Sequence, residues 1–226
     1  MLHTVTRIRG AIVRALDGDV GVVEEVVFDD VTWTVRYLMV KTGPWLMNRP
    51  VLISPMVVES PWSAGVLPTK LTREQLRTSP IVESHKEVSR EHEAQLLAHY
   101  GLPFYWENLT SGPSAPDRPP VKPGDERLCA VREVTGFHIQ TSDCEIGHVD
   151  DFLIDDNNWR IEYLLVDTSH WIDTKSVLIS PSALRGIDWS QSRMRVALTP
   201  DLAQRNSPAP ALPSAGESSP VVRLTP

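Results

Sequence analysis

Apolar residues fall along both halves of the chain in short runs of four to nine, separated by turn-forming positions. Gly10–Ala15, Val20–Phe28, Trp33–Lys41 and Pro50–Ile53 are rich in valine, isoleucine and aromatics and are bounded by Gly, Asp, Asn or Pro. That pattern predicts strands. Met56–Ser60 and Val66–Leu71 are weaker strand candidates. In Trp33–Lys41, alternation puts Trp33, Val35, Tyr37 and Met39 on one face, with Thr34, Arg36, Leu38 and Val40 on the other. A strand apolar on both faces at one end suits the middle of a small curled sheet or barrel. Asp29-Asp30-Val31-Thr32 lies between two long strands and predicts a hairpin, because Asp closes turns through side-chain-to-backbone bonds. Helical signals interrupt the β pattern. Thr72-x-x-Gln75 is a capping box. Ser89–Gly101 reads as a helix with Ser89 as N-cap, Gly101 as stop and Pro103 beyond.

The pattern occurs twice. Shifted by 126 positions, residues 17–55 align without gaps on 143–181, and 16 of the 39 positions are identical. The matches include Asp17/Asp143, Gly21/Gly147, Asp29-Asp30/Asp155-Asp156, Trp33/Trp159, Tyr37-Leu38/Tyr163-Leu164, Trp45/Trp171 and Val51–Pro55/Val177–Pro181, and Gly10/Gly136 keeps the offset upstream. This period is too long for a solenoid repeat and describes a small domain used twice. Thr199-Pro200-Asp201 offers a helix start after the second copy, as Thr72 does after the first.

Composition sharpens the boundaries. Of the 19 prolines, six fall between Pro103 and Pro123 and five between Pro208 and Pro226. The expected organisation is a first module over 1–80, a connector helix and aromatic cluster over 81–106, a Pro-rich linker over 107–125, a second module over 126–206 and a disordered tail over 207–226. The formal net charge is −7, which speaks against direct nucleic-acid binding. Residues 1–62 carry a net of −1 and 129–200 a net of −5, so the two copies differ in surface charge. No apolar run approaches the length of a transmembrane segment. Met1-Leu2-His3-Thr4-Val5 lacks a basic region followed by an apolar stretch, so the expectation is a cytoplasmic protein without a secretory signal.

The motifs Asp17-Gly-Asp-Val-Gly21, Asp29-Asp30-x-x-Trp33, Arg36-Tyr37-Leu38-x-Val40 and Val51-Leu-Ile-Ser-Pro55, with their second copies, resemble the PRC-barrel family. So does the connector Val88–Glu93 followed by Tyr100–Trp106, which is similar to that of bacterial tandem members. The resemblance implies a mainly β fold: two small PRC-type β-barrels, each followed by a short helix and joined by the connector helix and linker. It marks Gly21, Asp29, Asp30, Trp33 and Tyr37, and Gly147, Asp155, Asp156, Trp159 and Tyr163, as fold-defining. It implies no catalytic apparatus. Members of the family include the cytoplasmic domain of the photosynthetic reaction-centre H subunit and the C-terminal domain of the ribosome-maturation factor RimM, and they serve as interaction modules in unrelated systems.

Candidate chemistry is sparse. The acidic pairs Glu24-Glu25, Asp29-Asp30, Asp150-Asp151 and Asp155-Asp156 read as strand edges and turns, with a weak cation site as the competing reading; they lack the spacing of a calcium loop. His85, His92 and His99 recur every seven residues, about 10 Å apart on a helix, which is too far to share one metal. Cys144 replaces Gly18 in the second copy and reads as a turn substitution, the alternative being a thiol activated by His148. The interaction candidates are aromatic: Trp45 and Trp171 in expected loops, as barrel caps or interface anchors, and Phe104, Tyr105 and Trp106 after the connector helix. The resulting expectation is a non-enzymatic protein-interaction or assembly module, with no catalytic residue, metal or cofactor. Its expected partners are other proteins, with a homo-oligomer or pairing of its own two barrels as further options. The resemblance adds two alternatives, an accessory factor of a photosynthetic or electron-transport membrane complex and a ribosome-associated factor.

Overall fold

The structure is a computed structural model that describes residues 1–60, 62, 65–81, 88–107, 127–142, 144–168, 176–197 and 221–224; of Glu107 and 221–224 the backbone alone is described. The chain is mainly β, with two mixed sheets and few helices. Contacts divide it into two compact units interleaved along the sequence. One holds Arg7–Val131 and Asp156–Trp159, the other Met1–Thr6, Arg132–Asp155 and Arg160–Pro226. The former is the first-repeat unit and the latter the second-repeat unit. The expected linker beyond Glu107, the tail up to residue 220 and the helix at Thr199–Asp201 lie outside the described residues.

In the first-repeat unit, strands β2 (Ile12–Ala15), β3 (Gly18–Asp29), β4 (Thr34–Thr42), β5 (Pro50–Ile53) and β6 (Val66–Pro68) form the order β5-β4-β3-β2-β6. The long strand β3 pairs with β4 along one edge. Its other edge takes β2 near the start and β7 (Leu128–Ala130) near the end. Met56–Ser60, a weak strand candidate, instead opens in a 3-10 turn over Pro55–Val57, with Ser54 as N-cap and Pro55 at its first position. Helix α2 (Arg73–Arg77) carries the complete Thr72/Gln75 capping box.

The second-repeat unit repeats this plan. Strands β8 (His138–Gln140), β9 (Glu145–Asp155), β10 (Ile161–Asp167) and β11 (Ser176–Ile179) match β2 to β5, and the hairpin β12 (Leu184–Asp188) and β13 (Arg193–Val196) completes one end. The order is β12-β13-β8-β9-β10-β11-β14, where β14 (Val221–Leu224) lies parallel to β11. Strand β1 (Leu2–Thr4) pairs with the end of β9. Short helices α1 (Val5–Ile8) and α4 (Val131–Val134) follow β1 and β7.

The shared residues have shared tasks. A Cβ at Gly21 would run into the Lys41 carbonyl oxygen, and one at Gly147 into the Asp167 carbonyl oxygen, so both strands approach at a point only glycine permits. Gly147 also sits at φ +148°. Trp33 and Trp159 adopt left-handed backbone, at φ 55° and 57°, so each closes a turn and the strand begins after it. Both rings are buried, Trp33 stacking on Phe28 at 5.2 Å and Trp159 on Trp62 at 6.4 Å. Asp29 organises the first turn. Its Oδ1 accepts the N–H groups of Val31 (2.8 Å) and Thr32 (2.9 Å), and its Oδ2 accepts the Thr32 hydroxyl at 2.8 Å. Asp30 extends the β3–β7 pairing by exchanging bonds with the Arg127 backbone, both at 3.1 Å.

A connector-helix network as the candidate functional site

The connector helix α3 (Arg90–His99) belongs to the first-repeat unit. Ser89 caps it by accepting the His92 N–H at 3.3 Å. Gly101, at φ +66°, ends it, with Leu102 N–H returning to the Leu97 carbonyl at 2.9 Å. The buried face is Glu93, Leu96, Leu97 and Tyr100. Those positions are i, i+3, i+4 and i+7, one helical stripe, and a carboxylate occupies its first place.

Burial of Glu93, at 3% exposure, demands partners. Its Oε2 accepts the hydroxyls of Tyr37 (3.0 Å) and Tyr105 (2.7 Å), and Arg90 lies 3.3 Å from its Oε1. Arg90 also donates to the Tyr105 hydroxyl at 2.8 Å. Burial pushes the Glu93 carboxyl above its ordinary range, against the opposing pull of the Tyr105 hydroxyl and Arg90. The same burial, with the adjacent Glu93 charge, pushes the Tyr37 and Tyr105 hydroxyls up, so both stay protonated donors. Tyr100 closes the far end of the stripe by donating to the Leu52 carbonyl at 3.0 Å, and burial pushes its hydroxyl up to about 12.

Arg36 links this network to the hairpin turn. Its guanidinium lies 3.7 Å from the Tyr105 ring centroid and donates to Asp29 Oδ2 at 2.9 Å and to Thr32 Oγ1 at 3.0 Å. Although burial alone would raise Asp29, the Thr32 backbone and Arg36 hold its carboxyl below the usual range.

Phe104, Tyr105 and Trp106 follow the helix directly, and all three are half-buried. Phe104 stacks on Trp106 at 5.0 Å, Tyr105 meets Trp106 edge-on at 4.9 Å, and the Arg90 guanidinium covers Trp106 at 4.5 Å. Beside Tyr105 opens a cavity of about 280 Å³ whose walls include Arg36, Tyr37, Ser54, Leu97, Asn157, Asn158 and Trp159. The turn Asp156–Trp159 is fastened here by the Val35 N–H, which donates to the Trp159 carbonyl at 2.8 Å. Arg36, the cation lining this cavity, spends its charge on Asp29 and its face on Tyr105.

The remaining candidates are dispersed. Trp45 sits half-buried in a 3-10 turn (Pro44–Leu46); its indole N–H donates to the Val20 carbonyl at 2.7 Å and Arg73 covers its ring at 4.3 Å. These contacts hold the ring against β3 and Arg73 of α2. Trp171 and His85 lie outside the described residues. His99 contacts the Gln75 carbonyl at 2.8 Å and is far along α3 from His92. Cys144 closes a turn with Thr141, donating its N–H to Thr141 Oγ1 at 3.1 Å. Among the described residues, no three His, Cys, Asp or Glu side chains gather as a metal site requires, and no helix is long and apolar enough to cross a membrane. Glu93, Arg90 and Arg36 were not anticipated as a cluster from the sequence. The signal was present, since Glu93 falls on the Leu96/Leu97/Tyr100 stripe. No protein-family model matches the chain, and no curated protein matches it.

Proposed function

We propose that the chain is a non-enzymatic interaction or assembly module of the PRC-barrel type, duplicated within one chain, whose protein-binding surface is the Phe104–Trp106 cluster. The observation that carries this reading is preorganisation. Two half-exposed aromatic rings are stacked and clamped by Arg90, on a foundation of buried hydrogen bonds through Tyr105 and Glu93. Aromatic and arginine anchors dominate interface energetics, and rigid ones lose little entropy on binding. The duplicated mainly β units support the family reading, and the self-paired charges of the network support a binding role over acid–base chemistry.

The test is affinity capture with the full chain as bait, beside the size of the pure protein in solution. A retained protein that is lost with Phe104→Ser/Trp106→Ser, and kept with Trp45→Phe, is the expected result. A monomer that retains nothing, or retains the same protein in the double variant, overturns the reading.

A further inference from the structure

Each sheet contains one strand that the sequence places in the other repeat. Strand β1 pairs with β9 through Leu2↔Asp155, His3↔Ile154 and Thr4↔Leu153. Strand β7 pairs with β3 through Leu128↔Asp29, Cys129↔Phe28 and Ala130↔Val27. Adding 126 to β1 gives β7, and subtracting 126 from its partners gives those of β7. The exchange is reciprocal and in identical register. The following residues keep the symmetry. A four-residue helix comes next, α1 or α4, then a glycine in left-handed backbone, Gly10 at φ +83° or Gly136 at φ +86°. Each then enters β2 or β8 in the sheet of its own repeat. The chain passes from one unit to the other between Thr6 and Arg7 and again between Val131 and Arg132.

The acceptor edge is built for its guest. Asp151, 8% exposed, points both carboxylate oxygens at the Thr6 N–H, each at 3.3 Å. It also accepts the N–H of its own neighbour, Phe152, at 2.8 Å. Glu25 holds the equivalent place in the first repeat, is as deeply buried, and accepts the N–H of its neighbour Val26 at 3.0 Å. Val5 and Val131, one residue beyond each exchanged strand, are fully buried. A strand of three residues has little stability of its own, so its placement depends on an edge that supplies ladder bonds, a buried anchor and a capped N–H together.

We propose that residues 2–6 and 128–131 are docking segments, each a strand with its buried anchor and each the peptide ligand of a strand-acceptor edge on the opposite repeat: β9 from Asp151 to Asp155, and β3 from Glu25 to Asp29. The partner each repeat is built to bind is the leading segment of the other. The intervening chain raises its effective concentration, so that the pair closes within one molecule. This inference makes no use of the Phe104–Trp106 surface and stands or falls apart from it.

The test cuts the full chain. A specific protease site is placed within residues 111–124 and the purified protein is cleaved. The expected result is that both fragments elute together at the volume of the uncut protein, in equal amounts. Two separate species overturn the proposal. The strand itself is read by a disulfide, with Leu2→Cys and Asp155→Cys in a Cys144→Ser background. These two positions are antiparallel register partners, and such partners lie at a Cα separation a disulfide can span. After oxidation and cleavage, one band without reductant and two with it are expected. No cross-link in the folded protein, or a cross-link between two copies, overturns the intramolecular exchange. Removing residues 2–6 from the cleavable protein is expected to weaken fragment association at least ~10-fold, with recovery on adding a synthetic peptide of residues 1–9. Unchanged association overturns the role assigned to β1.

Discussion

The two repeats share their turn, glycine and strand residues yet cover the equivalent strands differently. In the first, Tyr37 is fully buried beneath α3 and its hydroxyl reaches Glu93. In the second, Tyr163 is only half-buried. The residue before the tyrosine inverts its charge, Arg36 against Glu162. The edge strands differ likewise. Val51–Pro55 and Val177–Pro181 are identical, but β5 is closed by Tyr100 from α3, whereas β11 is flanked by β14. An unpaired edge strand is a liability, and the chain answers the same liability with a helix in one copy and a strand in the other. The two copies therefore share their sheet pattern and differ in its outer covering. The aromatic surface assigned to binding arises from that covering.

The difference can be broken at Tyr37. Tyr37→Ala is expected to cost about 3–5 kcal/mol in urea unfolding, as other buried aromatic truncations do, and Tyr163→Ala less than about 1 kcal/mol. Equal losses would show that α3 does not set the two copies apart. Gly21→Ala and Gly147→Ala probe what the copies share. Each is expected to cost about 1–3 kcal/mol, by similar amounts, because each forces a backbone carbonyl to move.

Smaller still is a pH effect centred on Glu93 of the first repeat. Burial raises Glu93 in the folded state, so the stability tied to its protonation is full below the ordinary carboxylate range and is lost as pH rises through the raised value. Glu93→Gln should flatten that loss in unfolding free energy measured between pH 4 and neutrality. Asp30 and Asp151, also raised chiefly by burial, leave a residual slope of the same sign. Asp29 acts oppositely: its stabilisation is present above the ordinary range and is lost as pH falls through its lowered value. The smallest effect is Ser89→Ala, at about 0.5–1 kcal/mol, visible as fraying of α3 by amide exchange.

Much of this was legible in the chain. The 126-residue offset, the Asp29 turn, the Thr72/Gln75 capping box and the Ser89–Gly101 helix are local signals, and each appears where the pattern placed it. Trp33 was read as the first strand residue because alternation ignores backbone sign; the structure puts it in a left-handed turn. Met56–Ser60 looked like a weak strand because Met56, Val57 and Val58 form a short apolar run, but Pro55 and the Ser54 cap start a 3-10 turn. Glu93 falls by spacing on the Leu96/Leu97/Tyr100 stripe, but a helix does not announce which hydroxyls will meet its buried face.

By itself, the sequence determined that the chain is mainly β, that its strand-and-turn pattern occurs twice, and where the tight turns and caps fall. Those follow from short-range sterics and side-chain-to-backbone bonds, which residues separated by a few positions settle among themselves. Only the tertiary structure decided that β1 completes the second sheet and β7 the first, and that Glu93, Tyr37, Tyr105 and Arg36 form one network. A three-residue strand fits many edges equally well by pattern. The edge it takes depends on the buried anchor and the carboxylate waiting there, contributed from about 150 residues away.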